Sequence, residues 1–250
     1  MGITIKTDQE VRKIREAGRI LAKTHELLIS ALKSGISTKE LDQIAEDFIR
    51  SQGATPSFKG LYGFPASICT SINEEVVHGI PSSKRKVKDG DIISIDIGVC
   101  LDGFHSDGAK TIAIGEIADE TKRLIEVTKQ SFYEGIRYAR AGNHLYEISA
   151  AIQNYVEANG FSVVRDLTGH GIGRKLHEEP QIPNFAVPGR GPKLVKGMVL
   201  AIEPMVNMGS YEVRILSDNS VITRDGSLSA HYEHTIAITD GEPEILTILW

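Results

Sequence analysis

An internal repeat with a spacing of 107 residues (203 minus 96) restricts the fold of this chain more than any other feature of its sequence. In the segment that ends at Asp96 and in the one that ends at Glu203, a glycine is followed six residues later by a carboxylate. Two apolar residues, a small residue and an isoleucine precede each carboxylate. The same offset relates Gly35 to Gly142, Gly53 to Gly160, Gly90 to Gly197, Leu41 to Ile148, Phe48 to Tyr155 and Ile49 to Val156. A helix-then-strand unit used twice predicts two acidic strands that face each other across a pseudo-two-fold axis.

The length of 250 residues fits one large domain or two small ones, and the repeat favours a single domain, 1–250. We expect its two related halves to span about 1–108 and 109–250. Hydrophobic residues make up 41% of the chain and charged residues 24%, which is typical of a globular protein with a sizeable core. The net charge is −5, and the largest basic cluster is the short run 84–88. This argues against a general nucleic-acid binder, and the run indicates a solvated loop or a weak RNA or ribosome contact.

Cysteine usage and the amino terminus indicate a compartment. The two cysteines, Cys69 and Cys100, provide neither a disulfide framework nor the spacing of a zinc site, which favours a reducing cytosol. The first residues show neither a signal-peptide pattern nor the Ser or Thr at position six that myristoylation requires, and we find no apolar run of membrane-spanning length. We therefore expect a cytoplasmic protein without a membrane partner.

Hydrophobic periodicity predicts two pairs of helices, each pair followed by strands. The helices are expected at 8–32, 37–53, 119–139 and 143–158, and the strands at 66–72, 75–77, 92–97, 111–114, 199–206, 221–223, 231–239 and 245–249. The segment 167–197 is too rich in turn residues for a helix, and its length suggests a functional role. The predicted class is α+β, with a curved antiparallel sheet covered by the two helix pairs.

Asp96 lies inside an apolar, β-branched run that predicts a buried strand. A carboxylate taken out of water costs several kcal/mol unless it is compensated, so Asp96 alone fits a metal ligand and a capping or lysine-paired residue equally well. Further candidates for the same site come from other predicted elements: Asp107 from a loop after a strand, His170 from a glycine-flanked turn, and Glu203 and Glu233 from strands. Such an oxygen-rich set suits Mn²⁺, Fe²⁺ or Co²⁺ better than a structural zinc ion. Four clustered carboxylates would repel one another, and two divalent ions would neutralise them.

Several motifs carry a resemblance to a known family. They are 69–74 (CTSINE), 78–81 (HGIP), 91–96 (DIISID), 168–173 (TGHGIG) with 177–180 (HEEP), 198–204 (MVLAIEP) and 233–235 (EHT). With these motifs the sequence resembles the type I methionine aminopeptidases of the creatinase/aminopeptidase "pita-bread" family, over essentially its whole length. All five metal-ligand positions hold the expected residue types. The resemblance implies a pita-bread fold and a metal-dependent exopeptidase that removes the initiator methionine from nascent proteins and peptides, preferring a small uncharged second residue.

The resemblance also implies a role for each metal-site residue. Asp96 would hold the first ion, Asp107 and Glu233 would bridge both ions, and His170 and Glu203 would complete the second. Cobalt, manganese and iron(II) are the expected divalent ions, with zinc or nickel as alternatives. A water bridging the two ions, with its pKa lowered by them, would attack the scissile carbonyl.

By the same resemblance, three side chains are expected to act on the substrate. Glu203 would take the proton of the attacking water and pass it to the leaving amine. His177 would donate to the scissile carbonyl, and His78 would contact the peptide nitrogen of the scissile bond. The free α-amino group of the substrate would bind a metal ion, which explains cleavage at the chain end only.

By resemblance, an apolar pocket for methionine is formed by Cys69, Phe64, Leu61, Phe58 and Leu176. The chain departs from the usual pattern here, because Phe64 and Leu61 replace common tyrosines, Leu176 replaces a phenylalanine, and a tryptophan expected near Ser220 is absent. The expected partners are deformylated N-termini of nascent polypeptides, with a transient ribosome contact as an open option. We do not expect the protein to bind DNA, and we expect it to be a monomer.

The remaining histidines and two other functions stay open at this point. His25 and His144 are predicted on the surface, whereas His105, His231 and His234 are ambiguous. Strand alternation points His234 away from Glu233, which suggests a structural role, and His105 could orient a ligand. An Xaa-Pro peptidase or creatinase-like enzyme would usually carry an added amino-terminal domain. A non-catalytic peptide- or RNA-binding relative would typically lack metal ligands.

Overall fold

Four α-helices and fifteen β-strands make up the fold in a computed structural model that describes residues 2–249. The helices are α1 (Asp8–Ala31), α2 (Thr38–Ser51), α3 (Asp119–Ile136) and α4 (Leu145–Ala158). The strands before α3 are β1 (Thr55–Pro56), β2 (Ile68–Ile72), β3 (Glu75–Val77), β4 (Ile92–Leu101) and β5 (Phe104–Ala113), with a 3-10 turn at Leu61–Gly63. Those after α4 are β6 (Ser162–Val163), β7 (Thr168–Gly171), β8 (Glu178–Pro183), β9 (Val199–Ile202), β10 (Met205–Asn207), β11 (Val213–Ile215), β12 (Val221–Thr223), β13 (Ser229–His231), β14 (His234–Ala237) and β15 (Glu244–Ile245).

The first two helices begin at residues that cap them. Before α1, the Thr7 hydroxyl accepts from the Glu10 amide at 3.3 Å while the Glu10 carboxylate accepts from the Thr7 amide at 3.1 Å. Ser37 and Glu40 repeat this reciprocal arrangement before α2, with distances of 3.2 and 2.9 Å. Each capping box satisfies amides that the first helical turn leaves unpaired. The predicted helix pairs are thus confirmed, with ends displaced by a few residues at most.

The described strand pairs are all antiparallel, and two ladders hold the acidic residues. Strand β4 pairs with β5 along ten residues, whereas β9 lies between β7 and β14. This long ladder corrects two predictions. Asp107 lies inside β5, not in a loop, and the strand predicted at 111–114 is the continuation of β5 as far as Ala113. His170 lies in β7, not in a turn, because it pairs with Gln181 of β8 and with Ala201 of β9. Glu203 directly follows β9 and Glu233 directly precedes β14, so neither lies inside a strand as predicted.

The two halves repeat their backbone contacts with the offset found in the sequence. In the first half the Gly35 amide donates to Val87 at 2.8 Å, and in the second the Gly142 amide donates to Leu194 at 2.9 Å. The isolated bridge of Ser37 with Lys86 recurs as that of His144 with Lys193. Paired glycines have closely similar positive φ angles: 91° and 98° at Gly35 and Gly142, 75° and 83° at Gly53 and Gly160, and 91° and 87° at Gly90 and Gly197. The glycines therefore mark equivalent left-handed turns in a duplicated unit.

Separate hydrophobic clusters fill the two halves, and a third joins them. Residues 17–114 contribute the first cluster, and α3, α4 and the later strands contribute most of the second. The third contains Val11, Phe58, Cys69, Ile172 and Leu176, from both halves. The polar site lies beside this joining cluster. No helix in residues 2–249 is long and apolar enough to cross a membrane.

Two histidines predicted on the surface lie elsewhere. His25 is 1% exposed, and its Nε2 lies 3.0 Å from the carbonyl oxygen of Ile95. Its position on α1 faces β4, so the sheet covers it. His144 is half-buried at the N-terminus of α4, with Nδ1 at 3.0 Å from the Gly191 carbonyl oxygen. The prediction was wrong for His25 and only partly right for His144, which is half-buried. The position of a residue in a helix does not show which side of that helix another element will cover.

Candidate metal centre and substrate cavity

Six acidic and histidine side chains converge where the two halves meet. They are Asp96, Asp107, His170, Glu203, His231 and Glu233. In the β4–β5 ladder Asp96 pairs with Ala109 while Asp107 pairs with Gly98, so the two carboxylates lie two positions apart on one face. The structure therefore brings together all five residues predicted as metal ligands, together with one further histidine.

The second half is joined to this face through β5. The Glu233 amide donates to Ala109 at 2.9 Å, and the Ala109 amide donates back to Glu233 at 3.2 Å. The Thr235 hydroxyl accepts from the Asp107 amide at 2.9 Å and donates to the Asp107 carbonyl at 2.8 Å. These paired contacts hold the backbone of Glu233 beside that of Asp107.

His170 presents one defined nitrogen to the acidic residues. Its Nδ1 lies 2.9 Å from the carbonyl oxygen of Gly171, which makes Nδ1 the protonated, donating nitrogen. The lone pair of Nε2 then faces Asp107 Oδ2 at 3.7 Å and Glu203 Oε1 at 3.6 Å. These separations exceed hydrogen-bond length. The geometry suits donors that surround a shared cation, with the second nitrogen fixing the ring orientation.

Burial and mutual repulsion favour the protonated form of all four carboxylates in the metal-free protein. Burial raises the pKa of Asp96 well above its ordinary value, and the charge of Asp107 raises it further. Burial raises the pKa of Asp107 to about 8. The pKa values of Glu203 and Glu233 are likewise raised, first by burial and then by the charge of Asp107. Such a cluster needs a compensating positive charge to be ionised near neutral pH.

The contacts of these side chains fit a divalent metal ion. Within residues 2–249, Asp96 Oδ1, Glu233 Oε1 and both ring nitrogens of His231 are buried without a hydrogen-bond partner. No lysine or arginine of the described chain forms an ion pair with any of the four carboxylates. Two groups of three potential donors share Glu233, and the donor atoms inside each group lie within 4.8 Å of one another. The groups are Asp107, His170 and Glu233, and Glu203, His231 and Glu233. Unpaired, buried oxygen and nitrogen donors are what a metal site provides.

A cavity of about 1270 Å³ opens onto the acidic cluster. Its lining includes every residue predicted to contact substrate: Phe58, Leu61, Phe64, Cys69, His78, Leu176 and His177. Phe58, Cys69 and Leu176 are buried in the joining hydrophobic cluster, with Leu61 and Phe64 packed against it. Cys69 of β2 is the strand-register partner of Asp96 of β4, which places the apolar wall of the cavity next to the acidic cluster.

The two predicted substrate histidines both line the cavity. His78, which has a positive φ of 62°, places Nδ1 3.3 Å from the Asn219 carbonyl oxygen. The His177 ring meets that of His170 edge-on, with 4.5 Å between centroids. Desolvation by the cavity walls, followed by the nearby His170 and His78, lowers the pKa of His177 to about 4. His177 is therefore neutral at pH 7 and can donate a hydrogen bond through a ring N–H.

Comparison with known families decides the classification. The model described as metallopeptidase family M24 matches residues 12–240. The chain belongs to this metallopeptidase family. A methionine aminopeptidase from Clostridium perfringens is 60% identical to it over 248 residues, 99% of each chain. The crystal structure of methionine aminopeptidase from Rickettsia prowazekii matches with a TM-score of 0.96 and 42% identity, over 99% of this chain and 100% of that one. The resemblance and the pita-bread fold predicted from the sequence are confirmed.

A second kind of relative is matched over a smaller share of its own length. The Xaa-Pro dipeptidase from Bacillus anthracis matches with a TM-score of 0.77 and 26% identity, over 97% of this metallopeptidase but only 61% of the dipeptidase. The methionine aminopeptidase from Clostridium perfringens is matched along nearly its full length. The described chain thus corresponds to the whole of one kind of enzyme and to part of the other.

Two residues at the site were missed from the sequence. His231 was ambiguous, although alternation in the strand predicted at 231–239 places it on the same side as Glu233, two residues later. Tyr62 was not considered; it is 86% exposed at the cavity, with its ring parallel to that of His177 at 6.2 Å between centroids. A positive φ of 50° at Tyr62 turns the chain there, and no sequence pattern revealed it. His105 lies with Nδ1 at 2.9 Å from the Ser57 hydroxyl.

Proposed function

We propose that this metallopeptidase removes the N-terminal methionine from peptides and nascent proteins, with preference for a small uncharged second residue. The observation that carries the proposal is a buried cluster of four carboxylates and two imidazoles at one end of an apolar-walled cavity. The similarity to curated methionine aminopeptidases along the whole chain supports it.

Asp96, Asp107, His170, Glu203 and Glu233 would hold two divalent ions, with cobalt, manganese or iron(II) as first candidates and zinc or nickel as alternatives. When bound, the ions would polarise the scissile carbonyl and lower the pKa of water. The protein itself would hold these donor atoms close together and leave them available to the ions. The long β4–β5 ladder and the contacts of Thr235 with the Asp107 backbone support this role, because they fix the strands that carry the donors.

Proton transfer is assigned to Glu203. Its carboxylate reaches both the acidic cluster and the cavity, and its own backbone carbonyl is held by the Asn184 side chain at 3.1 Å. Glu203 would accept the proton of the attacking water and deliver it to the leaving amine. His177, neutral at pH 7, would donate to the scissile carbonyl oxygen as negative charge develops there, and His78 would contact the peptide nitrogen of the scissile bond.

Methionine would bind against the apolar wall. Phe58, Cys69 and Leu176 form its buried part, whereas Leu61 and Phe64 are partly buried and close its rim. A long, unbranched side chain fits such a wall because burying it gains about 25 cal/mol per Å² and leaves no polar group unpaired. The aliphatic Leu61 and Leu176, in place of the expected aromatic rings, would still provide apolar contact.

The cellular setting is part of the proposal. We place the enzyme in the cytoplasm as a monomer, acting on deformylated N-termini as they emerge, with a transient ribosome contact through the basic run 84–88. The catalytic unit would be one domain, with halves of about 1–108 and 109–250, because the joining hydrophobic cluster and the acidic site draw residues from both.

The test is peptide cleavage by metal-free protein reconstituted with one metal at a time. Met-Gly-Met-Met and Met-Ala peptides should release methionine with Mn²⁺, Co²⁺ or Fe²⁺, and the metal-free protein should not. Glu203→Gln should lower release by at least about 100-fold, whereas Glu212→Gln, at an exposed ion pair with Arg224, should not lower it. Cleavage of Xaa-Pro but not Met-Ala peptides would transfer the assignment to an Xaa-Pro peptidase. No cleavage with any metal would favour a non-catalytic binding role.

A further inference from the structure

His231 combines deep burial with two unused nitrogen atoms. The residue is 1% exposed at the end of β13, and within residues 2–249 neither Nδ1 nor Nε2 has a hydrogen-bond partner. A buried polar group without a partner costs about 1–3 kcal/mol, so native proteins rarely leave one unless a ligand satisfies it. His231 therefore indicates a missing partner.

The surroundings of His231 show where that partner would lie. Its Nε2 is 3.8 Å from Glu203 Oε2 and 3.9 Å from Glu233 Oε2. Both distances are too long for hydrogen bonds. Donor atoms that share one cation, at bonds of about 2.0–2.2 Å, stand roughly 3–4 Å apart. His231 thus has the spacing of a metal donor.

His170 provides an internal comparison. Its Nε2 lies 3.6 Å from Glu203 Oε1 and 3.7 Å from Asp107 Oδ2, nearly the same separations from the other side of the cluster. The two imidazoles therefore approach opposite oxygens of the Glu203 carboxylate. The backbone of His231 is fixed, since its amide donates to the Thr111 hydroxyl at 2.8 Å and its carbonyl accepts from that hydroxyl at 2.9 Å.

We propose that Nε2 of His231 is an additional metal donor, on the side of the centre formed by Glu203 and Glu233. Each of the two three-residue donor groups then contains one imidazole, His170 in the first and His231 in the second. The inference rests on the proposed metal dependence and deepens it. Imidazole favours the later transition metals over Mn²⁺, so His231 shifts the selectivity of the centre towards Co²⁺ and Ni²⁺.

The experiment is a calorimetric titration of metal-free protein with Co²⁺, Ni²⁺ and Mn²⁺, in the native form and in His231→Gln. The substitution should weaken Co²⁺ and Ni²⁺ binding at one of the sites by at least about 10-fold, the lower end of the loss seen when groups that support a metal site are removed. Mn²⁺ binding should change much less, because carboxylates remain. The visible absorption of the Co²⁺ form should also change. His25→Gln, at an equally buried histidine whose ring contacts a backbone carbonyl of β4 and which is not among the donors, should leave all three metals unaffected.

Equal Co²⁺, Ni²⁺ and Mn²⁺ affinities in His231→Gln and the native protein would overturn the inference. Loss of all three metals to the same degree, in a variant whose metal-free form melts like the native protein, would also contradict it. Should the variant fail to fold, ¹⁵N NMR of the native protein loaded with Zn²⁺ decides, since the Nε2 resonances of both His170 and His231 are expected to shift on loading and an unshifted His231 resonance refutes the assignment. A native protein that binds no metal at all would instead overturn the proposed function.

Discussion

His231 and His234 lie three residues apart, and both are almost fully buried, yet their surroundings are opposite. His234 Nδ1 lies 2.7 Å from the Thr247 hydroxyl and its Nε2 lies 3.0 Å from the Tyr232 hydroxyl, so both nitrogens are satisfied. His231 faces the acidic cluster with both nitrogens unpartnered in the described chain. In an extended chain, side chains an odd number of positions apart point to opposite faces, so His234 packs among hydroxyl groups while His231 faces the acidic cluster. Hydrogen-bond satisfaction, more than burial, distinguishes the two.

The same contrast separates two buried aspartates. Asp42 is fully buried, but Oδ1 accepts from the amides of Ser67 at 2.7 Å and Ile68 at 3.3 Å, and Oδ2 pairs with Lys39 at 2.6 Å. Asp96 has an unpartnered Oδ1 within residues 2–249. Asp42 thus ties α2 to the start of β2, whereas Asp96 has an oxygen free for a ligand. The predictions below test this division, from the largest effect to the smallest.

Glu203→Gln should lower methionine release by about 10²–10⁴-fold, the usual range for removal of a general acid–base group. It should not lower the unfolding free energy of the metal-free protein, because burial and the neighbouring carboxylates raise the pKa of Glu203 and already favour its neutral form, which the glutamine amide resembles. Peptide kinetics and urea unfolding measure the two effects. Asp42→Asn is the matched comparison, and we expect it to lower stability. A large stability loss in Glu203→Gln would contradict the division between chemical and structural carboxylates.

His25 should make stability dependent on pH. Burial lowers its pKa from 6.5 to about 3, so the unfolded chain binds a proton between these values while the folded chain does not. Stability is therefore complete above pH 6.5 and falls as the pH decreases towards 3, by up to about 1.4 kcal/mol per pH unit for this group. Urea unfolding of metal-free protein at pH 6 and pH 4 should show a smaller loss in His25→Gln than in the native chain. Parallel losses would show that His25 is not held neutral.

His234→Leu should destabilise the metal-free protein by about 2 kcal/mol, because two hydrogen bonds of about 1 kcal/mol each are lost. Denaturant midpoints measure the change. His231→Leu, with no hydrogen bond to lose in the described chain, should cost clearly less. Equal costs for the two substitutions would mean that the unpartnered histidine does not differ energetically from the satisfied one.

Tyr62→Ala should have the smallest effect. The ring is 86% exposed and contacts the cavity beside His177, so its loss should raise KM a few-fold and leave kcat almost unchanged. Stability should change by less than about 0.5 kcal/mol, as is usual for surface positions. Tyr138→Ala, at an exposed tyrosine outside the cavity lining, is the control and should leave both kinetic constants unchanged. An unchanged KM in Tyr62→Ala would place that ring outside the substrate's path.

Some parts of the fold and site were predictable because patterns in the sequence, such as helical spacing and the repeat, indicate them directly. Helical spacing from Val11 to Leu28 gave α1, and the offset between Asp96 and Glu203 gave the duplicated architecture. The same local view failed for Asp107, which lies in a ten-residue ladder whose length depends on its partner strand. Pairing partners are distant in sequence, so local pattern underestimates strand length.

By itself the sequence determined the class, the repeat and the types of donor atoms, since these follow from periodicity, glycine positions and side-chain chemistry. Only the tertiary structure decided which buried polar groups are satisfied. The His25 ring contacts a backbone carbonyl of β4, and the His234 ring contacts two hydroxyl groups. The His231 ring faces two carboxylates at distances too long for a hydrogen bond. The physical reason is that a hydrogen bond or metal contact requires atoms to meet within a few ångströms, and folding brings together residues that the chain keeps far apart.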